Sequence, residues 1–111
     1  MKIQWLGHAC FKISHQDYSL VLDPYMKSNM LRLKEMHTVA NQVLCSHQHT
    51  DHNHVDAVDI QPTKVINPFK IQRLKTYHDN EKGSKRGENY LTIIETDSFK
   101  LAHLGDLGCE L

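Results

Sequence analysis

The sequence has no excess of charge of either sign: 13 lysines and arginines stand against 13 aspartates and glutamates over 111 residues. Proteins that grip phosphate backbones show a basic excess or a concentrated basic face. Nucleic acid is therefore not the expected partner, whereas small anionic substrates stay open. No apolar run approaches the roughly 18 residues that suggest a membrane span, so no membrane is expected. Cysteine is sparse: Cys10, Cys45 and Cys109 lie far apart and make an odd count. Met1-Lys2 leads straight into a short amphipathic run without a signal-peptide pattern. The expectation is a soluble protein of the reducing cytoplasm. Internal repeats and low-complexity segments are lacking too, and the length allows one domain at most.

Histidine is what the chain has in abundance. There are nine, and six of them (His37, His47, His49, His52, His54 and His78) lie in the middle. Imidazole is largely neutral near pH 7 and is the commonest metal ligand. The histidines are interspersed and internal, unlike an affinity tag.

Lys2 to Leu6 alternates weakly and Phe11-Lys12-Ile13-Ser14 cleanly, which predicts half-buried strands. His15-Gln16-Asp17 reads as a hairpin connection to a strand over Tyr18 to Leu22, ending at Asp23-Pro24, all within one antiparallel sheet. Residues 25 to 38 form a short helix or an ordered loop. Gln42 to Ser46 is a short apolar strand running into the histidine cluster, and strand ends followed by loops are where functional groups usually sit. Lys64 to Pro68 and Ile71 to Tyr77 read as strands, and Asn80 to Gly87 as a polar loop. Tyr90 to Glu95 and Phe99 to Leu104 form a second hairpin around Thr96-Asp97-Ser98.

The decisive segment is Ser46-His47-Gln48-His49-Thr50-Asp51-His52. His47 and His49 are two apart, so on an extended backbone they project from one face and converge on one cation. A turn at Thr50, a plausible helix N-cap, points Asp51 and His52 elsewhere, toward a second cation. The plain alternative for this segment is a solvated polar loop.

His-x-His-x-Asp-His after a short apolar strand resembles the signature of the metallo-β-lactamase superfamily. Gly7-His8-Ala9-Cys10-Phe11, Leu22-Asp23-Pro24 and Arg86-Gly87-Glu88-Asn89 are similar to its ascorbate-6-phosphate lactonase-like branch of small, single-domain, cytoplasmic metal-dependent hydrolases. The resemblance implies an α/β fold class: a partial metallo-β-lactamase fold, an αββα sandwich with mostly antiparallel strands and few short helices. It implies His47, His49 and His78 on the first cation, Asp51 and His52 on the second, and Asp106 bridging. It also implies a last histidine that would come from a C-terminal half, so residues 1–111 are expected to be the N-terminal half of the domain, without its C-terminal half.

The chemistry so implied is hydrolysis assisted by two divalent metal ions, zinc first, with manganese or iron also suited to imidazole and carboxylate ligands. A shared water loses a proton near neutral pH and attacks a carbonyl or phosphorus. Asp51 would orient that water, and His8 would donate to substrate, unless His8 is a satisfied structural histidine. The substrate class is a small anionic lactone or phosphoester. A non-catalytic metal-binding fragment, or an assembly half completed by a partner chain, is the competing reading, and a nuclease ranks third. Partners are accordingly a small molecule, plus self-association or a complementing C-terminal half.

The other features divide between functional and structural readings. Asp23 is a candidate to hold a ligating imidazole in one tautomer. Cys45 and Cys109 flank the motif and the bridging aspartate but fit buried thiols better than zinc ligands. His54 and His103 read as supporting or structural, and His15 and His37 as surface. Lys82, Lys85 and Arg86 either meet an anionic substrate or are simply solvated. The apolar faces of Tyr90 to Glu95 and Phe99 to Leu104 are expected to need a covering layer.

Overall fold

The structure, a computed structural model, describes residues 1–49, 51–79, 83 and 87–108. Strands β1 (Lys2–Gly7), β2 (Cys10–His15) and β3 (Tyr18–Leu22) form an antiparallel meander. Gln16 and Asp17 both take positive φ, 50° and 64°, as a two-residue hairpin turn matched to the strand twist requires. His15, expected in the connection, is instead the last residue of β2 and pairs with Tyr18.

After β3 the chain leaves the sheet. Asp23 turns left-handed at φ 51°, and Pro24 has no N–H with which to extend a ladder. Residues 25 to 37 are a loop with one backbone bridge, Ser28 to Leu33. Then come β4 (Thr38–Ala40) and β5 (Gln42–Leu44). Because the chain crosses back rather than reversing at once, β5 joins β3 in parallel, an exception within the mostly antiparallel strands that were expected. A 3-10 turn at Val55–Ala57 leads into β6 (Val58–Ile60), which pairs in parallel with β4. Neither β4 nor β6 was expected from the sequence.

Lys64 to Pro68, expected as a strand, is not one. Proline stands at 62 and 68, Ile66 is 88% exposed, and local side chains take the backbone donors. Thr63 Oγ1 accepts Val65 N–H at 3.1 Å and Asn67 Oδ1 accepts Phe69 N–H at 2.9 Å, bonds that favour turns over ladders. A second antiparallel sheet follows: β7 (Lys70–Tyr77), β8 (Glu88–Glu95) and β9 (Lys100–His103). Among the described residues the helical layers of the implied sandwich are represented only by the 3-10 turn. No helix is long and apolar enough to cross a membrane.

β3 is the centre of the core. Leu20 and Leu22 meet Ile13, Phe69 and Ile94 between the two larger sheets, while Val21 meets Cys10, Tyr25, Ala40 and Val58 on the other face. Burial on both faces explains why this strand reads as a continuous apolar run. Ile94 and Leu101 of the late hairpin are turned onto this core, so the face expected to be bare is in part covered. Its opposite face presents Leu74 and Ala102.

Replacing Leu20 by Ala removes contacts in the layer that joins the sheets and is expected to destabilise the fold by about 2–5 kcal/mol, whereas Ile66→Ala should stay within about 0.5 kcal/mol. Urea denaturation measures both, and equal effects would contradict this core. Cys10 is fully buried, and burial, with the nearby Asp23 charge, pushes its thiol up to about 12. Only the thiolate alkylates readily. Cys10 should therefore resist iodoacetamide at pH 8 in the native chain and react once urea unfolds it, as followed by peptide mapping.

Candidate metal centre

The site forms where β3, β5 and the second sheet meet. Asp23, fully buried at the end of β3, keeps in step with β5 by donating its N–H to Leu44 O at 3.0 Å. Its carboxylate then collects three donors. Oδ1 accepts Ser46 N–H at 2.6 Å, and Oδ2 accepts the Ser46 hydroxyl at 2.5 Å and His52 Nδ1–H at 2.8 Å. Burial opposes its ionisation, but these bonds outweigh it and hold the carboxyl below the usual range.

This arrangement determines two tautomers. Ser46 has one hydroxyl proton, which goes to Asp23, so its oxygen must accept from His47 Nδ1–H at 2.9 Å. His52 likewise carries its proton on Nδ1. In the neutral imidazoles both Nε2 atoms then carry the lone pair, and both are buried without a hydrogen bond. Burial, followed by the neighbouring imidazoles of His52, His49 and His78, pushes His47 down to about 4 against the pull of Asp106. Burial also works against the charged form of His52, but the Asp23 hydrogen bond and the charges of Asp106 and Asp51 outweigh it and raise this histidine.

The second sheet supplies the facing groups. Asp106 Oδ2 stands 2.8 Å from His78 Nε2, 3.0 Å from His52 Nε2 and 3.5 Å from His47 Nε2. It is placed there by Asn89, fully buried on β8. Asn89 Oδ1 accepts Asp106 N–H at 3.0 Å, and Asn89 Nδ2 donates to Leu104 O at 2.8 Å and to Thr76 Oγ1 at 3.0 Å. Gly105 between them is left-handed at φ 61°, and a side chain there would collide with Ser46 and Asn89. The His78 loop is tied by His78 N–H to Gly87 O at 3.0 Å and by Gly108 N–H to Tyr77 O at 2.9 Å.

Potential ligand atoms gather in overlapping sets, each within 4.8 Å: His47, His49 and His78; His8, Asp51 and His52; and Asp23, His47 and His52. Lone pairs fixed inward by neighbours, with one carboxylate oxygen between them, fit a divalent cation. His8, expected to face substrate, has its Nε2 2.9 Å from Asp51 Oδ2. Its turn is strained, at φ 49°, and is braced by Trp5 Nε1–H to His8 O and by a His103 Nε2 contact to Ala9 O, both at 2.9 Å. Burial opposes ionisation of Asp51, but the His8 bond and the nearby imidazole charges hold its carboxyl low.

The remaining predicted residues fall outside this cluster. Cys45 is half-buried, with a thiol that burial pushes up to about 11, and it belongs to none of the ligand sets. His37 is exposed, but His15 packs edge-on to Phe99 at 5.8 Å between centroids and is not simply surface. Thr50, Lys82, Lys85, Arg86 and Cys109 lie outside the described residues. Ser46 and Asn89 went unrecognised in the sequence as residues that shape the site. Ser46 abuts the motif, and a serine there is a weak signal at best. Glu88 and Asn89, read as preceding the late hairpin, belong to β8 itself.

A family model for a beta-lactamase superfamily domain matches residues 2–111. The UPF0173 metal-dependent hydrolase of Desulforamulus reducens is 26% identical over 116 residues, covering 78% of this chain and 51% of that protein. Its counterpart in Roseobacter denitrificans is 27% identical over 115 residues, covering 100% of this chain and 47% of that protein. A proposed Zn-dependent hydrolase of the metallo-beta-lactamase superfamily from Thermotoga maritima has TM-score 0.64 at 29% identity over 96% of this chain and 50% of that one. A proposed metal-dependent hydrolase from Parabacteroides distasonis, with TM-score 0.67 at 16% identity over 95% of this chain and 60% of that one, shares the fold. The chain spans about half the length of the curated relatives it matches.

Converting Asp23 to Asn removes the charge that holds Ser46 and His52. Loss of such a support is expected to lower zinc affinity about 10–100-fold, measured by competition with a chromophoric chelator. An Asp23→Asn chain that binds zinc as tightly as the parent would show that Asp23 does not orient the ligands.

Proposed function

Because the chain belongs to the metallo-β-lactamase superfamily, we propose that it is the metal-binding half of a metal-dependent hydrolase acting on a small anionic lactone or phosphoester. The observation that carries this reading is the pair of buried, bare Nε2 atoms of His47 and His52 facing one Asp106 oxygen. His47, His49 and His78 would hold one cation, Asp51 and His52 the other, and Asp106 would lie between them. Zinc suits this imidazole-rich set, with manganese or iron next.

When bound, the two cations would acidify a water and polarise the oxygen of the scissile bond. The chain's own part is positional. Asp51, kept ionised beside His8, can accept a hydrogen bond from the attacking water and its departing proton. Asp23 and Ser46 keep the Nδ1 protons of His52 and His47 in place, so these rings present lone pairs and not N–H groups to the site. The balanced charge of the chain supports a small molecule over nucleic acid as substrate, and the free thiols of Cys10 and Cys45 support a reducing compartment such as the cytoplasm.

One observation favours a second reading, an assembly half that binds metal without turnover until completed. The chain matches about half of each relative's length, so the last ligand and one wall of the pocket would come from a C-terminal half or a partner chain. Adding the C-terminal half of the Roseobacter denitrificans relative separates the two readings.

The test combines elemental analysis with turnover. The zinc-loaded chain should hold at least one ion per molecule, and the double variant His47→Ala/His49→Ala should hold none. Hydrolysis on lactone and phosphoester panels should disappear with the metal. Unchanged zinc content in the double variant would overturn the ligand assignment. Metal binding without turnover in either preparation, with or without the added half, would overturn the hydrolase reading.

A further inference from the structure

Beside the histidine cluster a cleft of 380 Å³ opens, lined among others by His47, Gln48, His49, Arg73, Glu88 and Tyr90. Arg73 comes from β7, where it pairs with Thr92 on β8, diagonal to Tyr90. Strand alternation puts it on the face of the second sheet turned toward the core, just past Ile71, where the apolar layer ends and the metal loop begins. Its guanidinium is seated by two contacts. One N–H donates to Cys45 O at the end of β5, and the carbon lies 4.8 Å from the centroid of the Tyr90 ring. A cation over an aromatic face is held in place without losing its charge.

What remains of this group is open. Arginine has five N–H donors, and one is used by Cys45. No carboxylate pairs with Arg73 among the described residues, since Glu88, the acid at the rim, is engaged by Lys75 at 2.7 Å. Apart from the imidazoles, Arg73 is the only cation among the described residues lining the cleft. A fixed, unpaired fork of N–H groups beside a hydrolytic centre matches the planar or tetrahedral oxyanions that arginine binds through two parallel bonds.

We propose that Arg73, seated on Tyr90 and Cys45 O, is the specificity-determining residue that receives the non-reacting oxyanion of the substrate, a carboxylate or a phosphate monoester, while the scissile bond lies at the histidine cluster. This inference rests on the hydrolase reading and gives its substrate an anchoring point. The loop residues Lys82, Lys85 and Arg86, considered for this role from the sequence, lie outside the described residues.

The test compares the zinc-loaded parent with Arg73→Gln and Arg73→Lys on matched lactones, one neutral, one carrying a carboxylate and one a phosphate. Loss of one charge-assisted contact should raise KM of Arg73→Gln for the charged lactones roughly ten- to hundredfold. kcat, and both constants on the neutral lactone, should stay unchanged, and Arg73→Lys should recover part of the loss. In a second arm, inorganic phosphate and acetate are titrated separately into chelator-treated protein and followed by NMR line broadening. The parent should bind at least one, and Arg73→Gln neither. Equal losses on neutral and charged lactones, or a fall in zinc content or a changed far-ultraviolet circular dichroism spectrum of both variants, would make Arg73 a structural support for Cys45 and overturn the proposal. Anion binding unchanged in Arg73→Gln would overturn it as well. If the parent hydrolyses none of the lactones the hydrolase reading is in difficulty, yet the anion titration still decides the role of Arg73.

Discussion

The buried carboxylate of Asp23 is the group on which the site depends. An isolated charge in a protein interior costs several kcal/mol unless its oxygens are fully bonded. Asp23 meets that requirement with the Ser46 amide, the Ser46 hydroxyl and His52 Nδ1. Satisfying the charge also orders the neighbours. Because the single Ser46 proton is taken, the serine oxygen becomes the acceptor for His47, so one carboxylate orients two imidazoles through one serine. The same charge adds to burial in keeping the Cys10 and Cys45 thiols protonated.

The second sheet has a polar brace of its own. Asn89 ties β7, β8 and the turn after β9 together through Thr76, Leu104 and Asp106, and so presents Asp106 to His47 and His52 on the loop that follows β5. The geometry of the centre therefore requires the apolar layer of Ile13, Leu20, Leu22 and Ile94 to hold the sheets in register. Strain collects at the same place: His8 and Asp23 are both non-glycine residues at positive φ, 49° and 51°. Such conformations persist where the surroundings over-determine them, here through the braces on the β1–β2 turn and the bonds to Asp23.

Several elements were legible in the sequence because their signals are local. β2, β3, β7, β8 and β9 show alternation or short apolar runs, and the spacing of His47, His49, Asp51 and His52 depends only on neighbouring positions. The failures are equally physical. β4 and β6 are three residues each, too short to display a period, and exist because they find each other across the fold. Lys64 to Pro68 has strand-like residue types, but Thr63 takes the Val65 N–H, Asn67 takes the N–H of Phe69 just beyond, and prolines at 62 and 68 interrupt a ladder. The parallel direction of β5 depends on the path of the crossover, which no residue in β5 encodes.

Of this protein, the sequence by itself determined the residue types of a candidate metal-binding cluster, the strands that lead into it and the family to which they belong, because metal-ligand spacing and strand alternation are properties of adjacent residues. Tertiary structure alone decided which nitrogen of His47 and His52 is bare, that Ser46 and Asn89 are polar braces, that His8 lies against Asp51, and that Arg73 stands open beside the cluster. Each of these follows from hydrogen-bond partners and burial supplied by residues far away in the chain. The chemistry of a buried polar group is set by what it meets, and that is known only once the sheets have packed.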